Sequence, residues 1–179
     1  MTARRPLPAS VALALFLSLG LFAVLAPLAP FAPAGGLVVP DLLYCLVIAW
    51  VVRRPATAPL WAVVLLGLFG DLMLARPVGL GALGLVMISE WFRRRGYLFH
   101  SAPFPFEWLV AGLGFAAMLA GIRLVLAVTF AGGPGAGVLL SYLVATVLAY
   151  PLVVLGIVWC LGLRAPRAQA FGNPPARLR

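Results

Sequence analysis

Four acidic side chains and two cysteines are the residues of this sequence that could carry chemistry. The acids are Asp41, Asp71, Glu90 and Glu107, and they lie far apart in the sequence. No nucleophile–base pair or close pair of carboxylates is present, as hydrolysis or group transfer would require. Cys45 and Cys160 lie inside apolar runs without a CxxC spacing, so they predict buried thiols. The sequence therefore predicts no enzyme activity, no metal and no cofactor.

Three of the four acids have a structural interpretation at a helix end. Asp41 and Glu107 each stand close after a proline at the start of an apolar run, where the helix dipole favours an acid. Glu90 precedes Arg93 and Arg94 by three and four residues, which predicts an ion pair on one face of a helix.

Asp71 has no such explanation, because it lies roughly 18 Å into its run when counted from Pro59. Arg123 lies at a similar depth on another run, roughly 24 Å from Glu107. Charges inside a membrane are costly when they are unpaired, so we hypothesise an Asp71–Arg123 ion pair. Two alternatives stay open. Asp71 could bind backbone groups, a ligand, a proton or a partner, and the Arg123 guanidinium could reach the outer headgroups.

The composition predicts a membrane protein. Of 179 residues, 64% are hydrophobic and 9% are charged, and the mean hydropathy is +1.13. A soluble domain carries roughly 25% charged residues. The formal charge of +9 would suit nucleic acid, but the arginines lie in short clusters between apolar runs. That placement is typical of membrane topology signals, so we expect no nucleic-acid binding.

Six apolar runs predict an all-α polytopic protein with six transmembrane helices. The runs cover residues 8–29, 37–52, 59–75, 78–92, 106–130 and 138–163, and a basic tail at 164–179 is predicted to be disordered. The second, third and fourth runs are short for spanning helices, which normally need roughly 17–25 residues. Residues 59–92 could instead form a re-entrant hairpin. The first run also resembles a signal peptide, although its apolar stretch is longer than usual.

The arginines predict the orientation. If the N-terminus is cytoplasmic, eleven of the 13 arginines lie on the cytoplasmic side, leaving Arg76 in an outer loop and Arg123 within a helix. The positive-inside rule therefore places both termini in the cytoplasm. The cytoplasmic clusters are also expected to attract anionic lipid.

Small residues recur where helices are expected to meet. Residues 79–84 match GxGxxG, but no strand precedes them, so the glycines indicate close helix packing and not a dinucleotide site. Small residues at four-residue spacing form one stripe in each of the last two runs. These stripes are Gly112, Ala116 and Ala120, and Gly137, Ser141, Ala145 and Ala149. We expect both stripes to face neighbouring helices.

Seven of these positions together resemble the rod shape-determining protein MreD family. They are Pro40 and Asp41 at the start of the second helix, Gly67, Gly70 and Asp71 at the end of the third, and Gly79 and Gly81 in the following turn. The resemblance covers most of the chain and is most specific between residues 67 and 84. It implies a six-helix fold similar to the substrate-binding subunits of energy-coupling-factor transporters.

The resemblance also implies a function and partners. Members of that family are non-enzymatic scaffolds of cell-wall elongation in the bacterial inner membrane. Their partners are MreC, the actin-like MreB, and the glycan polymerase RodA with its penicillin-binding transpeptidase. The matching residues would then shape the fold and the MreC contact. The alternative is a vitamin-type transport subunit in which Asp71 and Arg123 bind a small ligand.

Overall fold

The computed structural model describes residues 8–28, 39–99, 102–130, 132–133 and 135–161, without the side chains of residues 160 and 161. The predicted disorder of the 164–179 tail and the predicted burial of the Cys160 thiol lie outside the described residues.

The described chain forms six α-helices and contains no strand, which confirms the all-α expectation. Helix α1 spans Ala9–Leu25 and continues into a 3-10 turn at Ala26–Leu28. The remaining helices are α2 at Leu42–Arg53, α3 at Leu60–Met73, α4 at Leu80–Arg94, α5 at Phe104–Val128 and α6 at Ala136–Leu161. Each helix lies at one of the six apolar runs.

Three of these helices are long and apolar enough to cross a membrane. They correspond to the segments Ala9–Leu28, Phe104–Val128 and Ala136–Trp159. Large apolar side chains point outwards from α5 and α6, including Leu124, Leu152 and Trp159. A soluble protein would not expose such continuous apolar faces, whereas lipid is a suitable surrounding for them. The chain is therefore a helical membrane protein.

Helix α2 lies at the centre of the bundle. Every residue from Leu43 to Arg53 is buried, as expected for a helix that is apolar all round. It packs against α1, α4 and α6, while α3 and α4 form one helical hairpin and α5 and α6 form another. Trp50 illustrates the core: its ring centroid lies 5.5 Å from that of Phe16, and its indole N–H donates to Thr57.

The bundle has two polar ends, which we call the Asp41 end and the Arg53 end. At the Asp41 end, the turn between α3 and α4 brings Arg76 to the start of α2. At the Arg53 end, the Arg93 guanidinium donates to the backbone carbonyl of Ala58 at 2.6 Å. Glu90 accepts from Arg93 and Arg94, each at 3.1 Å, which confirms the predicted same-face ion pairs.

Glycine sets the spacing of α3 and α4. A Cβ added to Gly67 would lie 2.9 Å from the backbone Cα of Ala82, so the two helices touch at this point. In the predicted α5 stripe, Gly112 faces Val147 of α6. In the α6 stripe, Gly137 and Ser141 are exposed. The outer part of the α6 stripe therefore does not pack inside the described bundle.

Candidate functional site

Asp71 binds the start of the neighbouring helix. Its Oδ2 atom accepts hydrogen bonds from the backbone N–H groups of Gly79 at 2.9 Å and Ala82 at 3.1 Å. Gly79 is the N-cap residue of α4 and Ala82 is the third residue of the helix, which has no capping side chain of its own. Asp71 therefore supplies, from the end of α3, the acceptor that an N-cap residue normally supplies locally.

Two glycines make this arrangement possible. Gly79 has a φ of +92°, a left-handed conformation that strains any residue with a Cβ. Gly81 lies directly against the Asp71 carboxylate, so a Cβ there would collide with Oδ1. The glycine pattern that resembles GxGxxG thus shapes a turn around a buried carboxylate.

The structure corrects the predicted Asp71–Arg123 ion pair. No ion pair joins these two side chains, both of which lie in described parts of the chain. Asp71 instead uses the backbone donors of α4, which lie much closer in sequence. Arg123 extends towards the loop after α5, where a Cβ added to Gly133 would lie 2.5 Å from its Nη1 atom. Of the alternatives given for Asp71, binding to backbone groups describes this contact.

Asp41 forms the second polar cluster, which we call the Asp41 cluster: Asp41, Arg76, Tyr142 and Thr146. Asp41 Oδ1 accepts from the backbone N–H of Tyr44 at 3.0 Å, so it caps α2 as its position predicted. Oδ2 accepts from Arg76 at 3.0 Å and from the Tyr142 hydroxyl at 2.6 Å. Its own backbone N–H donates to the Thr146 hydroxyl at 3.0 Å. The cluster joins α2, the α3–α4 turn and α6.

Arg76 remains positively charged within this cluster. Burial alone would lower the pKa of the guanidinium, but the Asp41 carboxylate and Tyr142 together raise it above the usual value. A second nitrogen of Arg76 donates to the Tyr142 hydroxyl at 2.6 Å, and the guanidinium lies 5.5 Å from the centre of that ring. Arg76 and Asp41 thus neutralise each other at the Asp41 end.

The third cluster lies at the Arg53 end and consists of Arg53, Glu107 and Tyr150. The Arg53 and Glu107 side chains are 4% and 8% exposed and form a bidentate pair at 2.8 and 3.3 Å. The Tyr150 hydroxyl donates to Glu107 at 2.7 Å, and Arg53 also donates to the Ala49 carbonyl. Arg53 Nε has no hydrogen-bond partner. This cluster ties α2 to α5 and α6.

The sequence interpretation missed the partners in both ion-pair clusters. Glu107 lies in the first turn of α5, as predicted, but its pairing with Arg53 was not foreseen. Arg53 and Arg76 were used only as orientation signals. A usable signal did exist, because the predicted spans place Arg53 with Glu107 on one side of the membrane and Arg76 with Asp41 on the other.

A cavity of about 220 Å³ lies between the Asp41 cluster and Asp71. Polar groups of Asp41, Asp71 and Arg76 line one part of it, and Val24, Leu85 and Met118 are among the apolar residues that line the rest. Gly67, Gly70 and Gly81 also line it, and Pro40 lies beside Asp41. Six of the seven positions that carry the family resemblance therefore line this cavity, and the seventh, Gly79, donates to Asp71, which lines it.

Among the described residues, this arrangement holds helices together and lines a partly polar cavity. The described residues contain no group of three or more His, Cys, Asp or Glu side chains that could hold a metal ion. Comparisons with family models, curated proteins and solved structures found no match to this chain.

Proposed function

We propose that this chain is a non-enzymatic scaffold of the bacterial inner membrane, of the kind formed by the MreD family. One observation carries the proposal: three of its four carboxylates join different helices. Asp41 binds the α3–α4 turn and α6, Asp71 binds α4, and Glu107 binds α2 and α6. Carboxylates that bind groups on neighbouring helices hold the bundle together, which is the role that a scaffold requires of them.

The residues that carry the MreD resemblance support the same function. Gly67 permits the contact of α3 with α4, while Gly79 and Gly81 shape the turn that Asp71 binds. Most of these positions are buried, so they would act on a partner by fixing the surface that the α3–α4 hairpin presents. The proposed partners are MreC, MreB and RodA with its penicillin-binding transpeptidase.

Affinity purification tests the scaffold proposal. The tagged full chain would be purified from its native membrane in mild detergent, and the associated proteins identified by mass spectrometry. Stoichiometric recovery of MreC with the RodA synthase would support the scaffold. Recovery of an ATPase pair and its coupling subunit would instead show that the second candidate, a transport subunit, is correct. The cavity between Asp41 and Asp71 is the observation that favours this second candidate.

The proposed topology has six spans, with the Arg53 end in the cytoplasm. In its support, Arg53 and the cluster from Arg93 to Arg95 lie at one end of the bundle, and Arg76 lies at the other. The α3–α4 turn also reaches the level at which α2 begins. This favours two membrane-crossing helices for residues 59–92 rather than a re-entrant hairpin.

Cysteine labelling tests this topology. Val78 and Tyr97 are matched probes, since they are 63% and 66% exposed and lie at opposite ends. Each would be changed to cysteine in a background where Cys45 and Cys160 are replaced by alanine. A membrane-impermeant maleimide should label Val78→Cys in intact spheroplasts and Tyr97→Cys only after permeabilisation. The reverse pattern would invert the orientation, and an unreactive Val78→Cys would favour the re-entrant hairpin.

A further inference from the structure

The cavity between the Asp41 cluster and Asp71 contains one acceptor that the fold leaves unused. Asp71 is 2% exposed, and its Oδ2 atom takes both backbone hydrogen bonds from α4. Its Oδ1 atom accepts no hydrogen bond from the described residues. Oδ1 is not one of the fully enclosed polar atoms that lack a partner, so it is accessible from the cavity and can accept from a donor that enters there.

The charges that line the cavity indicate the sign of that donor. Asp41 and Arg76 form an ion pair and cancel each other. Asp71 forms no ion pair with a basic side chain of the described residues, so an ionised Asp71 adds negative charge to the cavity wall. A cation that carries N–H groups would satisfy both the charge and the open acceptor, with the stronger hydrogen bonds that a charged donor makes.

The remaining walls indicate the shape of the ligand. The cavity is also lined by the apolar side chains of Val24, Leu43, Leu74, Leu85 and Met118. A volume of about 220 Å³ is far above the roughly 10–15 Å³ that one water molecule needs, so several non-hydrogen atoms can enter. The space therefore fits a polar head of one or two atoms on a short hydrocarbon body.

We propose that this cavity is a binding site for a small primary ammonium compound with a short apolar chain, whose ammonium group donates to Asp71 Oδ1. The Asp41–Arg76 pair forms the neutral polar wall of the site. The apolar residues of α1, α2, α4 and α5 enclose the hydrocarbon part. This proposal goes beyond the scaffold function and does not depend on it.

Binding of n-butylammonium to the purified full chain tests the site. We would measure its saturable binding by isothermal titration in detergent, with 1-butanol as the neutral isostere and tetramethylammonium as a cation without N–H donors. We expect saturable binding of n-butylammonium only. If it does not saturate, or if 1-butanol binds equally well, the cavity holds water or nonspecific apolar solutes and the proposal is overturned.

Asp71→Asn is the decisive variant. The asparagine carbonyl oxygen can still accept from Gly79 and Ala82, so the turn is retained, while the amide N–H₂ group replaces the open acceptor. The loss of a charged hydrogen bond should weaken n-butylammonium binding by roughly tenfold to a hundredfold. Glu90→Gln, which removes a carboxylate at the other end of the bundle, should leave binding unchanged. Equal affinities in wild type and Asp71→Asn would refute the assignment.

A second variant keeps Asp71 intact and changes the space. Gly70 lines the cavity, and a Cβ there would make ordinary contacts of 3.4 and 3.6 Å with Leu43 and Val24. The Gly70→Ala protein should therefore fold, and the longest alkylammonium that it binds should be shorter than the longest that the wild type binds. An unchanged chain-length preference would show that the amine binds elsewhere.

Discussion

Removing the Glu107 carboxylate should destabilise the protein strongly, because it leaves the Arg53 charge buried without its partner. The Arg53 side chain is 4% exposed, its Nε atom already lacks a hydrogen-bond partner, and Glu107 accepts from two of its nitrogens. Breaking a buried pair from one side typically costs about 3–5 kcal/mol. Glu107→Gln should lower the free energy of unfolding by an amount in this range, because the amide keeps the shape of the side chain and removes its charge. Arg53→Met should cost a similar amount.

Replacing both charged partners should recover much of that loss. In the variant that combines Arg53→Met with Glu107→Leu, no charge remains buried, so the two changes should be far from additive. We expect a coupling energy of about 2 kcal/mol or more in the double-mutant cycle formed by Arg53→Met, Glu107→Leu and their combination. Tyr150→Phe, added to this pair, removes the hydroxyl that would otherwise lose its acceptor.

Reversible unfolding of the purified chain in mixed micelles, titrated with SDS and followed by circular dichroism, measures these energies. Glu90→Gln is the control, since Glu90 also pairs with two arginines but its side chain is 31% exposed. Exposed pairs contribute about 1 kcal/mol or less, so this variant should change little. If Glu107→Gln costs no more than Glu90→Gln, or if the cycle is additive, the cluster does not hold the helices together.

Three further predictions concern the Asp41 end and the helix contacts. Tyr142→Phe removes the hydroxyl that donates to Asp41 and accepts from Arg76, and should cost about 1.5–3 kcal/mol in the same unfolding assay. Gly81→Ala should destabilise the protein in the wild-type background but much less alongside Asp71→Ala, because the clash is with that carboxylate; equal costs in both backgrounds would place the clash elsewhere. Gly67→Ala should lower stability by about 1–3 kcal/mol through overpacking against α4, whereas Gly121→Ala, where a Cβ meets nothing within 4 Å, should be neutral or stabilising.

The sequence predicted those features that depend on a single helix. Apolar runs bounded by arginine, proline and glycine defined the helices, since a backbone in lipid must satisfy its own hydrogen bonds. Asp41 was recognised as an acid at a helix start because its acceptor role depends only on residues nearby in the chain. The Glu90 pairs were predictable for the same reason, as three- and four-residue spacing fixes them on one face.

Features that depend on how helices meet were not predictable in the same way. Depth alone suggested that Asp71 and Arg123 could pair, but depth does not specify which helix faces which. The α3–α4 contact at Gly67 brings the start of α4 to Asp71, and that contact satisfies the carboxylate. The Arg53–Glu107 pair spans 54 residues and depends on the central position of α2, which no local pattern shows.

The short helices of this bundle have a consequence for the lipid around it. Helices α2, α3 and α4 have 12, 14 and 15 residues, or roughly 18, 21 and 22 Å at the usual rise, against roughly 30 Å for a bilayer core. Helices α5 and α6 have 25 and 26 residues, or roughly 38 and 39 Å, and so are longer than that core. If the α3–α4 hairpin crosses the bilayer, as the proposed six-span topology has it, lipid beside the hairpin must compress while lipid beside α5 and α6 does not. The protein would then thin its bilayer on one side only. A second membrane protein with short helices would be favoured beside the α3–α4 hairpin, because it would share the thinner bilayer.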